Sequence, residues 1–369
     1  VENKSKGMTV NIKDHQLEGA KMKRILVTGA GGPAGVNFIK SLRIATEKFF
    51  IVGSDMNKYY IELPDVDVRY LAPRCDDPSY TDYLNEILKR HDIEMVHPQP
   101  DVEVRVVSEN REKINAMTFL PKKETIRTCQ DKFESAKIWH RKGIPVAKTL
   151  TISDDNSIRK AADELGFPFW IRATSGAGGR GSTPCNNIET ALSWINYWRA
   201  RGEDWDFIAQ EYLPGRNLAF HSLWKDGELI VSQIRERLEY IYPYLAPSGI
   251  TGTPSVAVTV DRPDVDKIAT DCVLAIDSKP SGIMCVDLKE RKNGTPCPTE
   301  INSGRFFTTS FFFPKAGLNL PHIYVKLAYG EKIPPMKKYN ALGAGIYWIR
   351  HMDSGPILMR DGEWRSKKL

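Results

Sequence analysis

The sequence predicts a mixed α/β and α+β protein built from successive packed units, and three observations carry that reading. A strand, glycine turn and helix at 24–46 opens an alternation that repeats to residue 114. A glycine-rich stretch lies between extended segments at 166–185. An Asn-Gly turn joins two strands at 282–302, with an acidic residue on each.

In order, 24–29 is an apolar β-branched run ending in glycine, and 34–46 shows helical periodicity through Val36, Ile39, Leu42 and Ile44. Strands at 49–54, 66–72 and 93–97 and helices at 78–90 and 101–114 follow, an alternation that builds a parallel sheet. From 118 to 200 helices are expected near 131–142, 156–165 and 188–201, with a strand at 168–174. From 207 strands dominate, at 207–213, 218–224, 228–233, 255–260, 282–290, 298–302 and 345–350, with helices near 263–277 and 320–329. The organisation expected is a basic N-terminal extension at 1–22, an α/β domain at 23–116, a first lobe at 117–206 and a second lobe at 207–369.

With 41% apolar and 27% charged residues and no apolar run of 18, the chain reads as a globular protein without a membrane span. The net charge of +6 comes from the ends: residues 1–24 and 365–369 each carry +3, and the rest is neutral. No basic stripe interleaved with aromatics points to nucleic acid. The six cysteines form no CxxC pair, and the polar first 22 residues lack a signal peptide's apolar centre, so a reducing cytoplasm is the expected setting.

Three motifs carry chemistry. Glycines 29, 32 and 35 lie between strand and helix, with Asp55 ending the next strand. This is the spacing of a dinucleotide turn, or of a turn whose glycines only permit close packing. A short-chain oxidoreductase would also need Tyr-x-x-x-Lys, which is absent. Second, Gly176, Gly178, Gly179 and Gly181 follow a strand and precede an extended segment, which suits a flap whose N–H groups fold onto phosphates. Arg172, on the strand entering it, is either a bidentate phosphate clamp or a surface arginine. Third, reading Asn293-Gly294 as a hairpin loop sets Asp287 opposite Glu300, with Asn302 on the same face. Facing carboxylates repel unless a cation lies between them, and three hard oxygen donors suit Mg²⁺ completed by phosphate and water. The alternative is a plain polar hairpin.

Together these residues resemble the ATP-grasp superfamily, in its carbamoyl-phosphate-synthase-large-subunit-like branch, which includes the pyrrolysine-pathway lysine ligase. The resemblance implies a Rossmann-like domain before two lobes that grip ATP, with Mg²⁺ or Mn²⁺ on Asp287, Glu300 and Asn302. It implies that Lys132, after Asp131, reaches the phosphates with Arg172, and that Arg305 acts at the reacting centre. Backbone groups near Glu211 and Leu213, in 210–215, would read adenine. The loop 248–252 resembles one near the phosphates. Two departures stand out: Asn217 replaces the usual ribose-binding glutamate, and Asn302-Ser303-Gly304-Arg305 is one residue longer than the family's Asn-Pro-Arg.

The activity implied is a carboxylate-amine ligase that makes an acyl phosphate from a carboxylate or bicarbonate and releases ADP, acting on small acids and amines, in the cytoplasm, with a homodimer allowed. An NAD(P)-dependent oxidoreductase on the 29–35 turn and a non-catalytic nucleotide-binding subunit are the competing readings. Arg235, Arg237 and Arg305 with Tyr240, Tyr242 and Tyr244 either line the substrate pocket or form a solvated face. The phenylalanines at 306, 307 and 311–313 read as core.

Overall fold

The computed structural model describes residues 22–174, 181–246, 248–352 and 366–367. The chain begins with β1 (Lys23–Thr28), α1 (Pro33–Arg43), β2 (Phe49–Asp55), β3 (Val68–Leu71), α2 (Tyr80–Arg90), β4 (Met95–Pro98) and α3 (Asp101–Glu109). The four strands form one parallel sheet in the order β3-β2-β1-β4. Its topological switch point, where α/β sheets place ligands, falls between β1 and β4.

The glycine turn after β1 is packed. A side chain at Gly29, whose φ is +58°, would meet the Pro100 ring at 2.3 Å, and one at Gly31 would meet the Tyr60 backbone at 2.4 Å. Asp55 does not face a ribose site; its carboxylate accepts from the amides of Gly31 (3.0 Å) and Asn57 (2.8 Å). The tight contacts at Gly29, Gly31 and Gly35 favour close packing as the reason for these glycines.

Next come α4 (Lys123–Gln130), α5 (Lys132–Arg141), β5 (Thr149–Ile152), α6 (Asp155–Leu165), β6 (Phe169–Ala173), β7 (Thr183–Cys185), α7 (Ile188–Ala200) and β8 (Phe207–Glu211). The sheet order is β5-β8-β6-β7, all antiparallel. The strand expected to open the second lobe at 207 therefore belongs to the first: Trp170 pairs with Gln210 and Ile152 with Phe207. A boundary at 206/207 cuts this sheet, whose core joins Ile152, Phe169, Ile171 and Ile195 to Phe207 and Ala209.

The remainder holds β9 (Asn217–Lys225), β10 (Glu228–Tyr240), β11 (Pro254–Val260), α8 (Pro263–Ile276), β12 (Gly282–Glu290), β13 (Pro296–Ser303), α9 (Phe312–Lys315), α10 (Leu320–Ala328) and β14 (Tyr347–Ile349). The strands form a six-stranded antiparallel sheet in the order β13-β12-β9-β10-β11-β14. Strand alternation splits its faces. One buries Leu218, Phe220, Met284, Val286 and Ile301 beneath Val265, Ala269 and Cys272 of α8. The other is apolar at one end only, where Leu223, Val231 and Ile283 join Phe306, Phe307, Phe312, Phe313 and the α1 residues Phe38, Ile39 and Leu42 in one core. This core and the bond between His97 Nδ1 and Tyr324 Oη (3.2 Å) fix the N-terminal domain against the second lobe. No helix among the described residues is long and apolar enough to cross a membrane, and all six cysteines are free thiols.

Candidate active site

Beyond its apolar end, the same sheet face turns polar. The register pairs Asp287 with Ala219 on one side and Glu300 on the other, and Cys285 with Asn302. The facing carboxylates are those the spacing predicts, although the turn is built differently. Arg291 N bonds Thr295 O and Gly294, at φ +83°, bonds back to Arg291 O, so 292–294 form a three-residue loop closed by a left-handed glycine. That loop shifts the register by one, and the irregularity between Asp287 and Leu288 shifts it back.

Protein cations relieve the repulsion between the two acids. Arg237 Nη2 holds Asp287 Oδ1 at 2.5 Å. Arg172 Nη2 and Lys132 Nζ reach Glu300 Oε2 at 3.3 and 3.6 Å. Burial acts to raise the Glu300 carboxyl, but Lys132, Arg172, Arg305 and Arg237 outweigh it and hold it at about 2. Asp287 moves upward, through burial first and the neighbouring Glu300 charge second, against the pull of Arg237.

Each cation is delivered by its local fold. On β6, Phe169, Ile171 and Ala173 face the core, which turns Arg172 toward the cleft. Lys132 is the first residue of α5, where Asp131 caps the helix by accepting from the amides of Phe133 and Glu134, both at 3.0 Å. The lysine is 9% exposed, and burial lowers its pKa. The extra residue before Arg305 is absorbed at Gly304, with φ +77° and its amide on Ile283 O. Arg305 thereby reaches Asn302 Oδ1 (2.5 Å) and the Asp101 carboxylate.

Asp101 escaped the sequence reading. It follows β4 at the sheet's switch point as the first residue of α3, and an acid after Pro-Gln-Pro at that topological position was the available signal.

Other expected residues are placed less uniformly. Gly176, Gly178 and Gly179 lie outside the described residues. Gly181 has φ +71° and packs where a side chain would meet Trp205 at 2.9 Å. Glu211 gives its amide to Lys148 O and its carboxylate to Arg291 at 2.8 and 3.0 Å, so of its groups only the carbonyl is left as a candidate to read a base. Leu213 packs with Ala147 and Cys297. Asn217 lies on the polar face between Lys289 and Arg237, accepting from Lys289 Nζ at 3.4 Å. Arg237 and Arg235 do belong to the site face, whereas Tyr244 is 78% exposed.

The donor set tests the metal. Among the described residues no group of three or more His, Cys, Asp or Glu gathers to hold one. Asp287 and Glu300 each have one oxygen bonded to a cation and the other without a hydrogen-bond partner among the described residues, and Asn302 adds an amide oxygen. Oxygen-only donors fit Mg²⁺ or Mn²⁺ provided water and phosphate complete the shell.

Comparison with known proteins agrees with this architecture. The model of the PylC-like N-terminal domain matches residues 25–120, and that of the carbamoyl-phosphate synthase L chain ATP-binding domain matches 131–202. Chloroplastic phosphoribosylamine–glycine ligase of Arabidopsis thaliana is 28% identical over 120 residues, 31% of this chain and 22% of that enzyme. The chain covers between 11% and 33% of the length of the curated relatives it matches.

Carboxyaminoimidazole ribonucleotide synthase of Aspergillus clavatus, solved with ATP, superposes with a TM-score of 0.65 at 15% identity, over 88% of this chain and 80% of that one. The biotin carboxylase domain of Hydrogenobacter thermophilus 2-oxoglutarate carboxylase, solved as a dimer with MgADP, ADP and bicarbonate, gives 0.66 at 17% identity, over 85% and 71%. Residues 25–120 are thus similar to the PylC-like N-terminal domain and residues 131–202 to the carbamoyl-phosphate synthase L chain ATP-binding domain, and the chain shares its fold with these nucleotide-bound structures.

Proposed function

We propose that the chain is an ADP-forming carboxylate-amine ligase that activates a small carboxylic acid or bicarbonate as an acyl phosphate and passes the acyl group to an amine. The observation that carries this reading is the meeting of Arg172 and Lys132, from the first lobe, with Glu300 and Asp287 of the second. Two acids ringed by four cations form a surface suited to phosphate oxygens and hard metal ions, and no nucleophile of the protein is required. The structural likeness to proteins solved with ATP, or with MgADP and bicarbonate, supports the same reading.

Asp287, Glu300 and Asn302 would hold Mg²⁺, which when bound supplies positive charge at phosphate oxygens. Arg172 and Lys132 would clamp the phosphates, Arg305 would orient the acid beside Asn302, and the carbonyl of Glu211 with the N–H of Leu213 would read adenine. Asn217 would bond the ribose. The glycine flap at 176–181 would exclude water that otherwise hydrolyses the acyl phosphate. A homodimer and a cytoplasmic setting belong to the same proposal, the first supported by the dimer of the Hydrogenobacter domain. The test is a screen of amino acids, bicarbonate and small acids for substrate-dependent ADP release. ADP formation that needs both an acid and an amine supports the reading, and a chain that binds no ATP overturns it.

A further inference from the structure

Arg235 is 1% exposed, yet no ion pair joins it to a carboxylate among the described residues. One guanidinium nitrogen bonds the Thr309 hydroxyl, the group lies 4.7 Å from the centroid of the Phe307 ring, and Nε has no hydrogen-bond partner among the described residues. Asp287, the acid it senses, is already held by Arg237. Burial first, and Arg237 second, pull the Arg235 pKa down to about 9.

The neighbours repeat the pattern. Arg350 donates to the carbonyls of Pro254 (3.0 Å) and Thr308 (3.5 Å), while its second terminal nitrogen has no partner among the described residues. Ser310 Oγ is buried without a partner among the described residues. So are both ring nitrogens of His221, which stacks on Phe307 at 3.6 Å between centroids. Two guanidinia, a hydroxyl and an imidazole thus gather around 307–310 with hydrogen-bonding capacity unspent and no acid among them. Keeping a buried guanidinium without a counter-charge is strongly destabilising, so a fold that retains one at its site face has a use for it.

We propose that Arg235 and Arg350, with Thr309 and Ser310, form a second anion subsite for a carboxylate or phosphate group of a substrate that does not itself react. Ala219 pairs with both Arg235 and Asp287, so Arg235 lies two strands from the carboxylate pair. At the usual strand spacing that is about 10 Å along one sheet face. An acid or amine with its reacting group at Asp287 and Glu300 would span this distance with a short chain. The substrate class rests on the ligase reading; the anion subsite does not.

The test titrates inorganic phosphate and, separately, glutarate into the full chain, with and without a saturating non-hydrolysable ATP analogue plus Mg²⁺, and reads the melting temperature. A saturable rise of a few degrees is expected in the wild type with at least one probe, and the stronger probe identifies phosphate or carboxylate as the group bound. Arg350→Ala and Arg235→Met should each lose the anion shift and keep the nucleotide shift. Arg350→Ala, half-buried, serves if Arg235→Met does not fold. An anion shift unchanged in either variant overturns the subsite, as does a wild type that neither probe shifts. Loss of the nucleotide shift with the anion shift intact would instead count against the ligase reading and leave the subsite standing.

Discussion

Glu103 and Glu300 are both inward-facing glutamates, and the protein drives them in opposite directions. Glu103, on α3 of the N-terminal domain, is 7% exposed and sits near Asp55, Thr28 and Tyr80; burial pushes its carboxyl up to about 7. Glu300, across a hairpin from Asp287, is held at about 2 by the cations around it. The difference lies in the company each keeps. A carboxyl among hydroxyls and another acid is a structural group that prefers its proton, whereas one ringed by lysine and arginine is kept as an anion ready for further positive charge.

The largest test of this contrast is catalytic. Glu300→Gln and Asp287→Asn should lower ligase turnover by at least about a thousandfold, whereas Glu103→Gln should leave turnover within a factor of about three. Steady-state ADP release with the substrate pair found by screening decides it, and a Glu300→Gln variant with near-wild-type turnover would break the assignment. Removing Glu300 also strips Lys132 and Arg172 of a counter-charge. The simple expectation that deleting one of two facing acids relieves repulsion is thereby reversed, and Glu300→Gln should melt a few degrees below the wild type without nucleotide.

A smaller effect separates the phosphate clamp from an arginine held elsewhere. Arg172→Ala should raise the ATP concentration for half-saturation about 10- to 100-fold. Arg216→Ala should change it little, since Arg216 pairs with the buried Glu290 at 3.0 Å. Equal losses in isothermal titration would remove Arg172 from the site.

The Glu103 side sharpens through pH. Its folded pKa of about 7 lies above the ordinary 4.5, so the folded state binds the proton more tightly. Its contribution to stability is fully present below about pH 4.5 and is lost as pH rises through about 7. Glu103→Gln should remove that loss and stabilise the protein at pH 8 by roughly 1–3 kcal/mol, with little change at pH 4.5. Urea denaturation at the two pH values measures it, and equal effects at both would refute the proton linkage.

The smallest effect is Asp131→Ala, which deletes the cap under Lys132 and should cost about 1 kcal/mol in the same assay.

What could be read from the sequence follows the range of the interactions involved. The Asp287–Glu300 pairing is local, set by a turn and strand alternation, and two compensating one-residue shifts left it intact. Arg172 was accessible because the apolar alternation of its own strand points it away from the core. Strand 207–211 was assigned to the wrong lobe because pairing partners are chosen by tertiary packing, which an apolar run does not encode. Arg237 needed the order β12-β9-β10, with a strand interposed between it and Asp287, and Asp101 needed the docking of α3 against Arg305. The helix Lys123–Gln130 passed unseen because it stops one residue before the cap of α5, so two helices read as one beginning at 131.

The central claim concerns how the carboxylate is activated, and the most direct measurement is the identity of the nucleotide product with hydroxylamine present. Given the correct acid, stoichiometric ADP with a hydroxamate in place of the amide is the result this account predicts, since attack on the γ-phosphorus leaves an acyl phosphate for hydroxylamine to intercept. AMP and pyrophosphate as the stoichiometric products would mean attack at the α-phosphorus, and would contradict it.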